Sequence, residues 1–154
     1  MIPKEVAYVA GPYRSATEWG VVQNIRAAEE VALALWRMGY AVICPHKNTE
    51  SFGGTRPDEV WLDGDLAILR RCDLVVVCRN WITSRGTREE IKDADSNLIP
   101  VYFWPYDKDE LEKRAQEWLN STAPDQCETL PGSKYADISP TTRTPTATSA
   151  GKTT

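Results

Sequence analysis

The apolar residues of the chain gather into four short runs, separated by stretches in which they recur at helical spacing. Val6-Ala7-Tyr8-Val9-Ala10 ends at Gly11-Pro12, the pattern of a buried strand running into a turn. Ser15-Ala16-Thr17-Glu18 has the form of a capping box, and Ile25, Ala28, Ala32 and Leu35 then repeat on one helical face until Gly39. Gly20 weakens the first turn, so a start near Gly20 is the alternative. Tyr40 to Cys44 predicts a second strand stopped by Pro45, and His46 to Arg56 a polar loop, long for a mere connection. Pro57 suits the first position of a second helix, with Leu62, Leu66 and Leu69 on one face and Arg70-Arg71 at its C-terminal end. Asp73 to Cys78 is almost wholly apolar, as a central parallel strand covered on both faces must be. A loop from Arg79 to Arg85, a helix from about Gly86 to Ser96, a strand from Ile99 to Phe103 and a helix from Asp109 to Leu119 complete the alternation.

That order, β-α-β-α-β-α-β-α, predicts an α/β fold: a flavodoxin/Rossmann-like, doubly wound parallel sheet of four to five strands joined by right-handed crossovers. The patterning stops near Asn120. Residues 1–119 are therefore expected to form one domain and residues 120–154 a flexible Thr/Pro/Ser-rich tail, whose few large apolar side chains cannot offset the entropy of ordering. A linker or partner-binding role for the tail is the alternative.

Composition narrows the function classes. Of 154 residues, 42% are apolar, enough for one continuous core. Eighteen Lys and Arg against 22 Asp and Glu give a net charge of −4, which argues against a nucleic-acid polymer as partner. No stretch approaches the roughly 20 apolar residues of a membrane span, and Met1-Ile2-Pro3-Lys4-Glu5 lacks a signal peptide's apolar core, so a cytoplasmic protein is expected. Cys44, Cys72, Cys78 and Cys127 show no CxxC spacing, and the first three sit in or beside strand-like runs, as buried reduced thiols do.

In an open parallel sheet, ligands bind beyond the carboxyl ends of the strands, so the loops there are read together. Gly11 and Pro12, followed by Tyr13, Arg14 and Ser15 at a helix start, could cradle an anion or form an ordinary turn. Neither GxGxxG nor GxxxxGK[ST] is present, which excludes the usual dinucleotide and P-loop signatures. Ser84-x-Gly86-Thr87-x-x-Glu90 is more informative. Gly86 permits close backbone approach, Ser84 and the free amides suit an anionic group, and Glu90 points from the first turn of the helix back toward the strand ends. A carboxylate held there can attack a sugar carbon, although Glu90 taken alone could equally be a surface residue; Glu89, turned about 100° away, reads as a surface charge. Asp65 is a second acid in an otherwise apolar helical context, and paired carboxylates divide nucleophile and proton-transfer work; an ordinary exposed helical Asp is the other reading. His46 lacks companions for a metal site; it and Asn48 could bond a ligand base or merely hold the loop. Trp61 and Trp81 could stack on a base or pack in the core.

These residues resemble the nucleoside 2-deoxyribosyltransferase-like superfamily, including the small phage and bacterial domains catalogued as DUF4406, over about residues 5–104. The resemblance rests on Tyr8-Val9-Ala10-Gly11-Pro12-Tyr13, Cys44-Pro45-His46-Lys47-Asn48-Thr49, Trp61-Leu62-Asp63-Gly64-Asp65, Cys72-Asp73-Leu74-Val75-Val76-Val77 and Trp81-Ile82-Thr83-Ser84-Arg85-Gly86-Thr87-Arg88-Glu89-Glu90-Ile91. It implies Glu90 as nucleophile, Asp65 as the acid assisting proton movement, and Tyr8 or Tyr13 as the active-site tyrosine, without separating the two. Ser84 stands where the similar deoxynucleoside 5′-monophosphate N-glycosidases carry serine and nucleoside-specific transferases carry Asp, which implies a phosphate-bearing substrate. The expected activity is N-glycosidic cleavage of a (deoxy)nucleoside 5′-monophosphate, with Glu90 and Asp65 about 5 Å apart if the retaining geometry carries over. Gly11, Arg14 and Ser84 would hold phosphate, and Tyr13, Asn48 and Trp81 would frame sugar or base. No cofactor and no metal are expected. Base exchange by a transferase and a non-catalytic nucleotide-sensing module are the alternatives. The resemblance also implies a homodimer or higher oligomer, to which the exposed side of the first helix, including Trp36, could contribute; core packing is the other reading of Trp36.

Overall fold

Alternation along the strands decides which helices cover which face of the sheet. The computed structural model describes residues 5–121, which carry β1 (Val6–Ala10), α1 (Glu18–Met38), β2 (Ala41–Ile43), α2 (Pro45–Asn48), α3 (Asp58–Leu69), β3 (Leu74–Val77), α4 (Arg85–Ser96), β4 (Val101–Phe103) and α5 (Lys108–Ser121). The four strands lie in the order β2-β1-β3-β4, all parallel, with Tyr8 opposite Val75 and Val75 opposite Val101. The fold is thus the predicted doubly wound α/β sheet, with four strands. Ala7, Val9, Leu74 and Val76 face α1 and α5, where Ala28, Leu35 and Leu111 complete one core layer. Tyr8, Ala10, Val75 and Val77 face α3 and α4, where Leu69 and Ala94 complete the other. β3 is buried throughout and β1 from Ala7 to Ala10, as parallel strands between two helical layers require.

Helix ends follow local chemistry, and several differ from expectation. The N-cap of α1 is Thr17, whose hydroxyl accepts from the Gly20 amide at 3.0 Å, while Ser15 lies outside the helix. A β-conformation at Thr17 sets its side chain over the first turn. Gly39 ends the helix at φ 104°, a left-handed conformation that suits glycine. The stretch read as loop begins with the short helix α2, opened by Pro45. Pro57 precedes α3 as its N-cap, and Arg85, one residue ahead of Gly86, opens α4. β2 and β4 are shorter than their apolar runs, and α5 reaches Ser121. The remainder of the predicted tail, with Cys127, lies outside the described residues.

Polar ties fix the layers. Arg114 forms a two-pronged bond to Glu5 at 2.8 and 2.9 Å, holding α5 to the start of β1. Arg70 grips Asp93 through Nε and Nη2 at 2.9 and 2.6 Å, joining the end of α3 to α4. Buried Tyr40 donates to the Leu111 carbonyl at 2.8 Å. Cys44, Cys72 and Cys78 are free thiols, and burial raises Cys78 to about 12. No described helix is long and apolar enough to cross a membrane.

Candidate active site

The chain passes from β1 outward to β2 and then back across β1 to β3, so the crevice at the carboxyl ends of β1 and β3 is the topological switch point. A cavity of about 440 Å³ opens there, within the usual range for small-molecule sites. Gly11, Pro12, Tyr13 and Arg14 enter from beyond β1, Pro45 and His46 from beyond β2, Asp65 from α3, and Ser84, Gly86, Thr87 and Glu90 from α4 and its cap.

Glu90 is the most constrained of these side chains. α4 is strongly polar, yet it turns Thr87, Glu90 and Ala94 inward, a three-then-four spacing that puts a carboxyl where an apolar residue would ordinarily sit. Its residue surface is 7% exposed. Burial pushes the carboxyl up to about 8; the nearby Asp65 adds to the rise, and the Tyr8 hydroxyl opposes it. Tyr8, fully buried on the central strand, donates to Glu90 Oε1 at 2.6 Å. The same surroundings keep the Tyr8 phenol protonated, raised far above its ordinary value by burial and then by Glu90. Tyr8 therefore meets Glu90 from beneath the cavity, while Tyr13 lines the wall against His46, ring centres 5.8 Å apart. Asp65, half-buried, is lifted by desolvation to about 6. Two carboxyls of different acidity thus share one concavity.

The other expected residues divide. Ser84 caps α4: its oxygen accepts from the Thr87 amide at 3.3 Å and from the Thr87 hydroxyl at 2.9 Å. His46 is 5% exposed, held neutral by burial, and donates through Nε2 to the Pro12 carbonyl at 3.1 Å. Gly11 has no room for a side chain, because a Cβ there would stand 2.9 Å from Cys78 Cβ. Two residues expected at the site lie elsewhere. Asn48 ends α2 facing solvent, since the helix that forms there turns it away from the cavity. Trp81 packs on Phe103, ring centres 5.4 Å apart, and belongs to the core layer beneath α3 and α4.

Thr49, Gly53, Asp58, Glu59, Trp61, Leu62, Thr83 and Arg85 also line the cavity. Of these, only Trp61 stood out as a candidate contact in the sequence. Asp58 and Glu59 open α3, where acids are favoured on dipole grounds alone, so their sequence context carries no sign of a second role. Asp58 pairs with Arg14 across the mouth, and Arg85 pairs with Glu89 at 2.9 Å. Among the described residues, no three of His, Cys, Asp and Glu are grouped as a metal centre would need. The arrangement offers a buried carboxyl with a fixed hydrogen-bond donor, a second acid, and backbone amides at a helix start.

A family model described as "Domain of unknown function (DUF7768)" matches residues 5–104. No curated protein matches the chain. Among solved structures, it is similar to the 2-deoxyribosyltransferase from the psychrotolerant bacterium Bacillus psychrosaccharolyticus, at 19% identity and a TM-score of 0.48, over 64% of this chain and 70% of that one.

Proposed function

The chain belongs to the DUF7768 family, a domain of unknown function, and for it we propose cleavage of the N-glycosidic bond of a (deoxy)nucleoside 5′-monophosphate through a covalent glycosyl-enzyme. The observation that carries this reading is the buried Glu90 carboxyl, hydrogen-bonded by Tyr8 and sharing a cavity with Asp65. In the first step an ionised Glu90 oxygen attacks C1′, and the C1′–N bond breaks with its electron pair leaving on the base. Asp65 gives the base a proton. In the second step water attacks C1′ as the Glu90 bond breaks, returning a proton to Asp65 and releasing the sugar phosphate with retained configuration. Capture by another base instead of water would make the same site a transferase.

Tyr8 serves this chemistry by donating to the ionised form of Glu90, offsetting part of the desolvation that burial imposes. The amides opening α4, with Ser84 and Gly86, suit a phosphate, and Arg14 could turn to it. Pro12 and Thr87 shape the walls. A phosphate-free nucleoside is the second reading, favoured by a specific balance of charge. Arg14 and Arg85 already pair with carboxylates, and Asp58, Glu59, Asp65 and Glu90 all line the cavity.

The test is chromatographic detection of free base from purified protein incubated with a panel of nucleosides and their 5′-monophosphates, with and without an acceptor base, for wild type and Glu90→Ala. Base release by wild type alone is expected, and the preferred member of each pair decides between the two substrates. Binding without release by either protein would replace this reading with a nucleotide-sensing role.

A further inference from the structure

A second concavity, of about 560 Å³, opens on the other side of β3, over the carboxyl ends of β3 and β4, the end of a parallel sheet at which ligands bind. None of its lining residues lines the cavity at Glu90. Its walls are aromatic: Trp81, Phe103, Trp104 and Tyr106 contribute rings, with Ile82 beside them. Backbone pairing holds the rings in place. The Trp104 amide donates to the Val77 carbonyl at 2.9 Å, and the Phe103 amide to Asp107 Oδ2 at 2.6 Å. Asn80, at φ 62°, adopts a left-handed conformation that asparagine tolerates and leads into the single 3₁₀ turn Trp81–Thr83. Ile82 and Tyr106 stand 68% and 85% exposed, large side chains that the fold leaves uncovered. One charge enters this setting. The exposed Arg79 lines the concavity, and its guanidinium has no hydrogen-bond or ion-pair partner among the described residues, whereas both arginines of the first cavity, Arg14 and Arg85, are paired with carboxylates.

We infer that this concavity is a second ligand site, for a small molecule that joins a planar ring system to an anionic group. Aromatic walls take a flat ring by stacking, and a free guanidinium matches two oxygens of a carboxylate or phosphate. Both features are needed to choose the ligand. A neutral or cationic molecule would leave the Arg79 charge unmet, and an aliphatic acid would leave the rings uncovered. Asp107, the acid that follows Tyr106, is taken up by the Phe103 amide and does not compete for Arg79. The 3₁₀ turn separates the two sites: Trp81 and Ile82 line this one, and Thr83 and Ser84 the other. A ligand on Arg79 therefore braces the segment that ends at Ser84, the cap of α4. Neither the site nor its test depends on the chemistry at Glu90.

NMR titration of the full isotope-labelled chain with 2-naphthoate tests it, read at the indole N–H signal of Trp104, which is assigned by its loss in Trp104→Phe. Saturable movement of that signal is expected, with a Kd of about 0.1–1 mM for a ligand of this size on an open site. Arg79→Met should weaken 2-naphthoate at least about fivefold and leave the neutral 2-naphthamide unchanged, whereas Tyr106→Ala should weaken both. Adenosine 5′-monophosphate carries the same two features in another form and is titrated into Glu90→Ala, so that it is not consumed. Movement of Trp104 that an added Arg79→Met removes would name a nucleotide as the ligand; 2-naphthoate binding without it would name an aromatic carboxylate. Arg79 and Tyr106 are exposed, and circular dichroism establishes that each variant is folded. No saturable movement at Trp104 up to about 10 mM of either probe, equal affinity for the carboxylate and the amide, or an Arg79→Met variant that binds as wild type does would each overturn the proposal.

Discussion

Replacing Glu90 with glutamine should stabilise the protein, and by an amount that grows with pH. In the folded chain this carboxyl titrates near 8, and unfolded it returns to 4.5. Between these values the native state holds a proton that the unfolded state releases, so stability falls as pH rises. At 1.36 kcal/mol per pH unit the loss is about 3 kcal/mol by pH 7, with a ceiling of about 5 kcal/mol above pH 8. Glutamine keeps the shape and still accepts from Tyr8, but it never ionises. The variant should therefore match wild type near pH 4 and exceed its melting temperature by roughly 10 °C at pH 7. Urea or thermal unfolding of both proteins from pH 4 to 9 measures the difference. A variant no more stable than wild type at pH 8, or a wild type whose own stability does not fall between pH 5 and 8, would refute the assignment of Glu90 as a desolvated acid.

If base release is observed, its kcat/KM should trace a bell with limbs near 6 and 8. Glu90 must be ionised while Asp65 is protonated, and the pair as a whole sets both limbs. Tyr8→Phe removes the donor that lowers Glu90, so the alkaline limb should move upward and kcat should fall; an unmoved profile would separate Tyr8 from the site. Gly11→Ala forces a methyl to within 2.9 Å of Cys78 Cβ and should cost about 1–3 kcal/mol in urea unfolding. Leu35→Ala empties a fully buried position between α1 and the sheet, with an expected loss of about 2–5 kcal/mol by the same measurement.

The strands and both helical layers were legible because strand residues covered on both sides must be apolar and helices must present one apolar face. Leu74 to Val77 and the series Ile25, Ala28, Ala32, Leu35 carry those constraints openly. Glu90 was less legible: its place about one turn into α4 aimed it toward the strand ends, but a strongly polar helix left a surface position equally open. Tyr8 and Tyr13 were not separable, because period two says that Tyr8 faces one side of the sheet without saying which side holds α4. Asn48 and Trp81 stayed open between ligand contact and a structural role for a related reason. A four-residue helix nucleated at Pro45 reorients the first, and a core slot beside Phe103 takes the second; both depend on neighbours distant in sequence. The rim residues Asp58, Glu59 and Arg85 joined the cavity only through the docking of α3 beside α4, which the Arg70–Asp93 tie fixes.

β1 is five residues long, and its alternation gives it two duties at once: Ala7 and Val9 fill the layer under α1, and Tyr8 carries the phenol to Glu90. Period two leaves no tolerance for a change of length there. One residue inserted ahead of Tyr8 with the strand's C-terminal end held in place would leave the phenol where it is but invert everything before it, whereas with the other end held it would drive an aromatic ring into the space that Val9 fills under α1. Insertions among the exposed residues 51–56 carry no such penalty. Natural length variation within this family should therefore collect between α2 and α3, with the first strand fixed in size.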